Sequence, residues 1–448
     1  MNTDAQLKQF VPKPARLPKT NDTTAWHWLR TRCFNSIGNS LLTVAVLALS
    51  YYIVSYFLNW AVFDAVWSAD SRRECMDTSP NGACWAGVIT WFNGLIYGRY
   101  PGEEQWRVNL GVILAVAWLL PLSCRTISHR NLILVSWIAL FPFLGAWLFL
   151  GGRFGVETGL GHSIFASLAA GFMVMLYVNW GLALARKRSL TDIAYPIAGL
   201  FSSRLTHLVS MLLVWMALSI AMGLALMQVD LHEVPIHRWG GLFLTLIIAS
   251  FAITMSIPIG VLLALGRRST LPIIHWLSLS IIELVRAIPL IAVLFMAVTL
   301  LPIFLPSNME LNKLTQVLCA VCLFAGAYMA ENIRGGLQAI PRGQYEAANT
   351  LGLGYWMTMI LIILPQALRL MIPNIMTSFI SILKDTTLVS IIGLFDIMLM
   401  ARNIANDKDW FGLHTEPIVM ISILFFVLCY GMSQYSINLE KRLKVNRQ

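Results

Sequence analysis

"EAANTLGLGYWMTMILIILPQA", residues 346–367 of a 448-residue chain, sets a carboxylate, two alanines, a glycine and a proline at fixed intervals in a mostly apolar sequence. The pattern is Glu346-Ala347-Ala348, three residues, Gly352, nine residues, Ile362, one residue, then Leu364-Pro365. The alanines let a helix backbone approach a partner closely, and Gly352 permits a bend between two short helices. Pro365 suits the first turn of a helix, where its missing N–H is not needed. The stretch therefore reads as a short L-shaped knob between two apolar helices, not as one more membrane span.

Around it, 57% of the chain is hydrophobic and 12% charged, against about 25% charged in a soluble domain. Apolar runs of roughly 20 residues, long enough to cross a bilayer as helix, recur along the chain. They fall near 38–60, 108–124, 131–150, 163–185, 208–228, 240–266, 275–304, 315–333, 366–383 and 416–436. This excludes a soluble globular core and predicts an all-α integral membrane protein of about ten transmembrane helices. "TTLVSIIGLFDIMLM" (386–400) is apolar but short, and is expected to form a return or re-entrant segment.

Orientation follows from the basic residues, because cytoplasmic loops carry an excess of Lys and Arg. The basic N-terminal residues, Arg125 and Arg130, Arg186 to Arg188, Arg267 and Arg268, Arg334 and Arg342, and Lys441 to Arg447 share one side in this threading. Both termini are thus expected in the cytoplasm, as is the knob. The net charge of +10 is spread over short loops, which fits membrane topology and not a nucleic-acid surface. The expected organisation is a cytoplasmic tail (1–36), a first transmembrane block (37–230) with an external loop (61–107), and a second block (238–440) containing the cytoplasmic loop 334–365. A short cytoplasmic tail (441–448) follows. The first span, with no cleavage site before it, is expected to remain as an anchor.

The seven cysteines are scattered. Cys124, Cys319, Cys322 and Cys429 fall in or beside apolar runs, and the Cys319/Cys322 spacing reads as small side chains within a helix, with no second ligand pair for a metal. Cys75 and Cys84 flank a polar Pro-Asn-Gly turn and could be bridged if that loop is extracytoplasmic. The histidines form no cluster, so neither a metal site nor a catalytic constellation is expected.

The Glu346 to Pro365 pattern resembles the EAA signature of the membrane-spanning permease subunits of bacterial ABC importers. "IIELVRAIPLIAVLF" (281–295), "AYMAENIRGGLQAIPRGQYEAA" (327–348) and "ILKDTTLVSIIGLFD" (382–396) are similar to polar amino-acid permeases of the histidine/glutamine type. "WGGLFLTL" and "ALGRRS" further resemble the general L-amino-acid permease branch, whose subunits carry extra N-terminal spans. The likeness covers about residues 238–440, with Ala287 standing where glycine is expected.

The resemblance implies a C-terminal five-helix permease core in the bacterial inner membrane, importing polar or general L-amino acids. It implies that Glu346, Ala347, Ala348, Gly352, Ile362, Leu364 and Pro365 dock on a cytoplasmic ATPase dimer. It also implies a second permease, expected to be a paralogue, and a periplasmic amino-acid-binding protein. No G-x-x-x-x-G-K-[ST] loop occurs, so this chain is expected to be no enzyme and to bind no cofactor, with ATP-Mg held by the partner. The alternative is an ion-coupled secondary amino-acid transporter, whose membrane charges would carry the coupling ion.

Charges at membrane depth cost about 2.5–3.5 kcal/mol at mid-helix and need a reason. Glu283 and Arg286, like Glu331 and Arg334, are three apart and could pair on one helix face. The first pair is a candidate for the pathway wall, the second for local neutralisation near the headgroups. Lys384 and Asp385 are adjacent, about 100° apart on a helix, and must seek different partners. With Thr386 and Thr387 they could hold a zwitterion, or brace a subunit interface or gate.

Overall fold

The computed structural model describes residues 25–123, 130–154, 160–184, 203–306 and 311–445. Residues 1–24 of the tail, Cys124, Arg125, Arg186 to Arg188 and the final residues 446–448 lie outside them. Each expected span meets helix: α1 (Ile37–Leu58), α2 (Gln105–Leu119), α3 (Arg130–Leu150), α4 (Leu160–Leu184), α5 (Ser203–Leu226), α6 (Gly241–Arg267), α7 (Pro272–Ala287) with α8 (Leu290–Thr299), α9 (Lys313–Gln338), α11 (Leu364–Leu370) with α12 (Ile372–Asp385), and α14 (Thr415–Val445). Two shorter helices complete the set, α10 (Arg342–Thr350) and α13 (Ile397–Ile404). Among the described residues, six helical segments are long and apolar enough to cross a membrane, and a bent pair makes a seventh.

Two spans differ from the sequence expectation. The run 275–304 is not one helix: α7 and α8 meet at a bend of 108°. Pro289 has no N–H and disfavours a helical Ile288, which is extended at φ −102°, ψ 136°. The 386–400 segment is also two pieces. Thr386–Ile392 is 3₁₀ helix that completes the span Ile372–Ile392. Gly393 (φ +79°) then turns the chain, and Asp396 caps α13 through Leu399 N–H at 3.0 Å.

By contacts the chain divides after Ala86. In the first unit, α1 runs into a wider π turn, Asn59–Phe63, and has no buried residue, as suits a helix facing lipid. Its polar end is closed by a Cys75–Cys84 disulfide, Cα–Cα 5.8 Å. Trp85 Nε1–H donates to Ala61 O at 2.7 Å there, and Trp67 stacks on Trp85.

In the second unit, α2 to α5 enclose Trp118, which stacks on Phe172 at 5.7 Å and meets Phe141 edge-on. The remaining helices surround α6 and α9. The stretch near 230, read as a junction between blocks, is tied on both sides. β1 (Gly152–Arg153) pairs with β2 (Asp230–Leu231), and Val234 N–H donates to Leu150 O at 2.7 Å. At the Gly241 end of α6, three backbone segments touch. Gly98 (φ +68°) bridges Trp239, and a Cβ there would lie 2.3 Å from Gly240 Cα. Gly241 N–H donates to Phe395 O at 2.7 Å. Tyr100 is buried beside them, its hydroxyl on Phe149 O at 2.8 Å, and burial pushes its phenol up to about 12, so it remains a donor. Fully buried Arg107 leans on Glu104 at 3.0 Å.

Candidate coupling site

The knob sits at the opposite, Arg267 end of α6. Pro341 (φ −59°, ψ 142°) starts α10, and the helix ends in a Schellman motif. Leu353 N–H donates to Ala348 O at 3.1 Å and Gly352 N–H to Asn349 O at 3.0 Å. Gly352 holds φ +71°, with nothing within 4 Å of where a Cβ would stand. Glycine is therefore required by the backbone alone and not by crowding.

The motif residues divide by exposure. Ala348 is 1% exposed, packed into the protein's own fold, whereas Glu346 and Ala347 face outward. Beyond Gly352 the chain is helical again from Tyr355 to Leu370. Pro365 lies in the first turn of α11, as its sequence position suggested, but α11 continues a helical arm that already runs from Tyr355. A widened turn, Thr358–Ile363, precedes it and gives room to a ring that in a regular helix would meet the Leu361 carbonyl. Ile363 and Ala367 are fully buried against Ile333 and Leu337 of α9, with Ile362 and Leu364 half-buried at the edge of that cluster. Pro365 is exposed.

Specific contacts hold the knob to the spans. Arg268 Nη1–H donates to Tyr345 OH at 3.0 Å, linking α10 to the end of α6. Gln366 Nε2–H donates to Gln344 Oε1 at 3.1 Å, linking α10 to α11.

Behind these contacts, five charged side chains from α6, α7 and α9 converge. Glu331 accepts Arg334 Nε–H at 2.9 Å and a second, short bond from Arg334 Nη2–H. Arg267 approaches it at 3.4 Å and Arg286 at 3.6 Å. Glu283 pairs with Arg267 at 3.1 Å and not with Arg286, which crosses to Glu331 on the neighbouring helix. The i,i+3 reading therefore describes Glu331–Arg334 and fails for Glu283–Arg286, because α7 lies against α9 closely enough for Arg286 to reach across. His275 adds a contact to Arg267 O at 2.6 Å.

The other pathway candidates are arranged differently. Thr386 is 1% exposed and its hydroxyl donates to Leu383 O at 2.7 Å; Thr387 donates to Lys384 O at 2.8 Å. Both hydroxyl protons are committed to their own turn, which leaves each oxygen only its acceptor lone pairs toward a zwitterion. Lys384 is exposed and Asp385 half-buried, and neither forms an ion pair among the described residues.

Sequence reasoning missed Arg267 and Arg268 as participants, having used them only as topology markers. It also missed Tyr345, Gln344 and Gln366. The available signal was the excess of cations over carboxylates at this end of the bundle, which makes Glu331 the natural hub.

Comparison with known proteins gives a consistent result. Residues 256–445 match the family described as binding-protein-dependent transport system inner membrane component. The chain is 35% identical to the Escherichia coli inner membrane amino-acid ABC transporter permease protein YhdY, covering 98% of this chain and 99% of that one. It is 37% identical to the Rhodobacter capsulatus glutamate/glutamine/aspartate/asparagine transport system permease protein BztC over 98% of each. It is 33% identical to the Bacillus subtilis probable glutamine ABC transporter permease protein GlnP, over 46% of this chain and 92% of that protein.

Proposed function

The chain belongs to the amino-acid ABC transporter permeases, and from that premise we propose that its knob is where a separate ATPase drives it. It is a multi-pass inner-membrane permease subunit of an ABC importer for amino acids. In the proposed orientation both termini and the knob are cytoplasmic. Glu346 and Ala347 meet an ATPase dimer that holds the ATP-Mg, a periplasmic binding protein delivers polar L-amino acids, and a paralogous permease completes the pathway.

The observation that carries this is the tethering of the knob. It has a fixed bend at Gly352 and is hydrogen-bonded through Tyr345 to Arg268, next to the hub residue Arg267. A displacement of the knob therefore acts on the ends of α6, α7 and α9 together. If the ATPase binds the knob differently in its open and closed states, that difference shifts the balance between permease conformations. Glu283 and Arg286 belong to this hub, and Lys384 and Asp385 remain candidates for the pathway wall.

The test is uptake of labelled amino acids into proteoliposomes containing the assembled importer. ATP should be required, and an ionophore should leave initial uptake unchanged. Uptake without the ATPase, abolished by an ionophore, would instead establish the ion-coupled alternative.

A further inference from the structure

At the end of α6 away from the knob, a cleft of ≈ 370 Å³ opens between the Phe92–Tyr97 helix with its following turn and α13 with its following loop. Its size is at the lower end of small-molecule pockets, about 300–1,000 Å³, and suits a small solute better than a peptide. Trp91, Arg99, Met400, Asn403, Asn406 and Asp407 line it. Gly94 keeps one wall open, since a Cβ there would stand 3.3 Å from Met400 Cε.

The two charges in this cleft, exposed Arg99 and half-buried Asp407, are oriented and have no charged protein partner among the described residues. The Arg99 guanidinium lies over the Phe395 ring, 3.8 Å from its centroid, which fixes its plane and leaves its N–H edge open. It makes no hydrogen bond or ion pair among the described residues. Asp407 Oδ1 accepts Asp409 N–H at 2.9 Å, and Oδ2 has no hydrogen-bond partner among the described residues. Each is held by its own neighbour, Arg99 by the Phe395 ring and Asp407 by Asp409 N–H, and the two do not pair with each other. A ligand with both a carboxylate and an ammonium group would satisfy both, whereas a single protein carboxylate or lysine would satisfy one.

We propose that this cleft binds a free L-amino acid through its α groups, Arg99 taking the α-carboxylate and Asp407 the α-ammonium. Asn403 supplies a neutral polar contact, and Trp91 and Met400 face the ligand's side chain. The site lies outside the membrane spans and is separate from Lys384 and Asp385. Its opening to the extracytoplasmic side rests on the orientation proposed above; its chemistry does not.

The test places a thiol at the rim. Full-length chain carrying Asn406→Cys is prepared in right-side-out and inside-out vesicles free of binding protein, and reacted with a membrane-impermeant maleimide. L-glutamine at ten times its Kd should slow labelling roughly tenfold by simple occupancy. Glutaramic acid, which lacks the α-ammonium, and L-glutamine amide, which lacks the α-carboxylate, should not protect. Arg99→Gln and Asp407→Asn should each weaken protection by about tenfold or more, and Arg99→Lys by less. Equilibrium dialysis of tritiated L-glutamine with the purified chain gives a second measure, with insertion checked for every variant. Indifference to L-glutamine, equal protection by the analogues, protection that survives both charge removals, or protection only when binding protein is added would each overturn the proposal. Labelling confined to inside-out vesicles would overturn the orientation alone, because protection still tests the cleft.

Discussion

Substitution of Gly352 separates the shape of the knob from its surface. Because no atom lies within 4 Å of a Cβ built at Gly352, Gly352→Ala introduces no clash with neighbours. What it introduces is left-handed backbone strain at φ +71°, about 1–2 kcal/mol for an L residue. Asparagine tolerates that region better, so Gly352→Asn should cost less. Gly352→Pro cannot adopt the angle and also removes the donor to Asn349 O, at about 3 kcal/mol or more. A penalty of 1.4 kcal/mol is tenfold in an equilibrium, so the bent form should lose ground in the order Asn, Ala, Pro. The assay is substrate-stimulated ATPase activity and uptake in the assembled importer, with membrane insertion measured alongside. Coupling should fall in that order while insertion remains. Wild-type coupling in both the alanine and proline variants would refute the idea that this bend transmits the drive.

Three further outcomes follow from the structure. Glu331→Gln removes the hub facing three arginines and should lower thermal stability by about 2–4 kcal/mol in detergent, whereas Glu283→Gln, at a half-exposed site, should cost under about 1 kcal/mol; equal effects would contradict the hub. Burial pushes the Asp396 carboxyl from 3.8 up to about 7. The folded chain therefore keeps a proton that the unfolded chain releases, and this group's contribution to stability should fall as pH rises from about 4 to 7 and then level off. Asp396→Asn, which keeps a capping oxygen for Leu399 N–H, should flatten that part of the unfolding profile. Finally, only reduction should expose Cys75 and Cys84 to maleimide, and loss of their short loop closure should destabilise the first unit by about 2–3 kcal/mol.

The helices were legible because about 20 consecutive apolar residues have few structures available to them in lipid. The knob was legible because a carboxylate, paired alanines and a glycine are conspicuous against such a background. What was not legible depended on distances between helices. Pro289 was visible, but the 108° bend requires knowing how α7 and α8 both pack against α9. The Glu283–Arg286 spacing satisfied a rule for an isolated helix, yet Arg286 found a better carboxylate on α9. The cleft at Arg99 and Asp407 joins residues some 300 positions apart, beyond the reach of any local pattern.

The widened turn at Thr358–Ile363 has a mechanical consequence. It holds more residues per revolution than the helix on either side, so it stores slack that could be taken up without breaking the rod. Tightening it to ordinary α geometry would turn its Gly352 side by about 100° for each residue absorbed, relative to Ile375, but would also drive the Pro365 ring against the Leu361 carbonyl, at about 3 kcal/mol or more. Pro365 is therefore a stop on this screw, holding the arm at one twist so that a push on the knob travels along it instead of rewinding it.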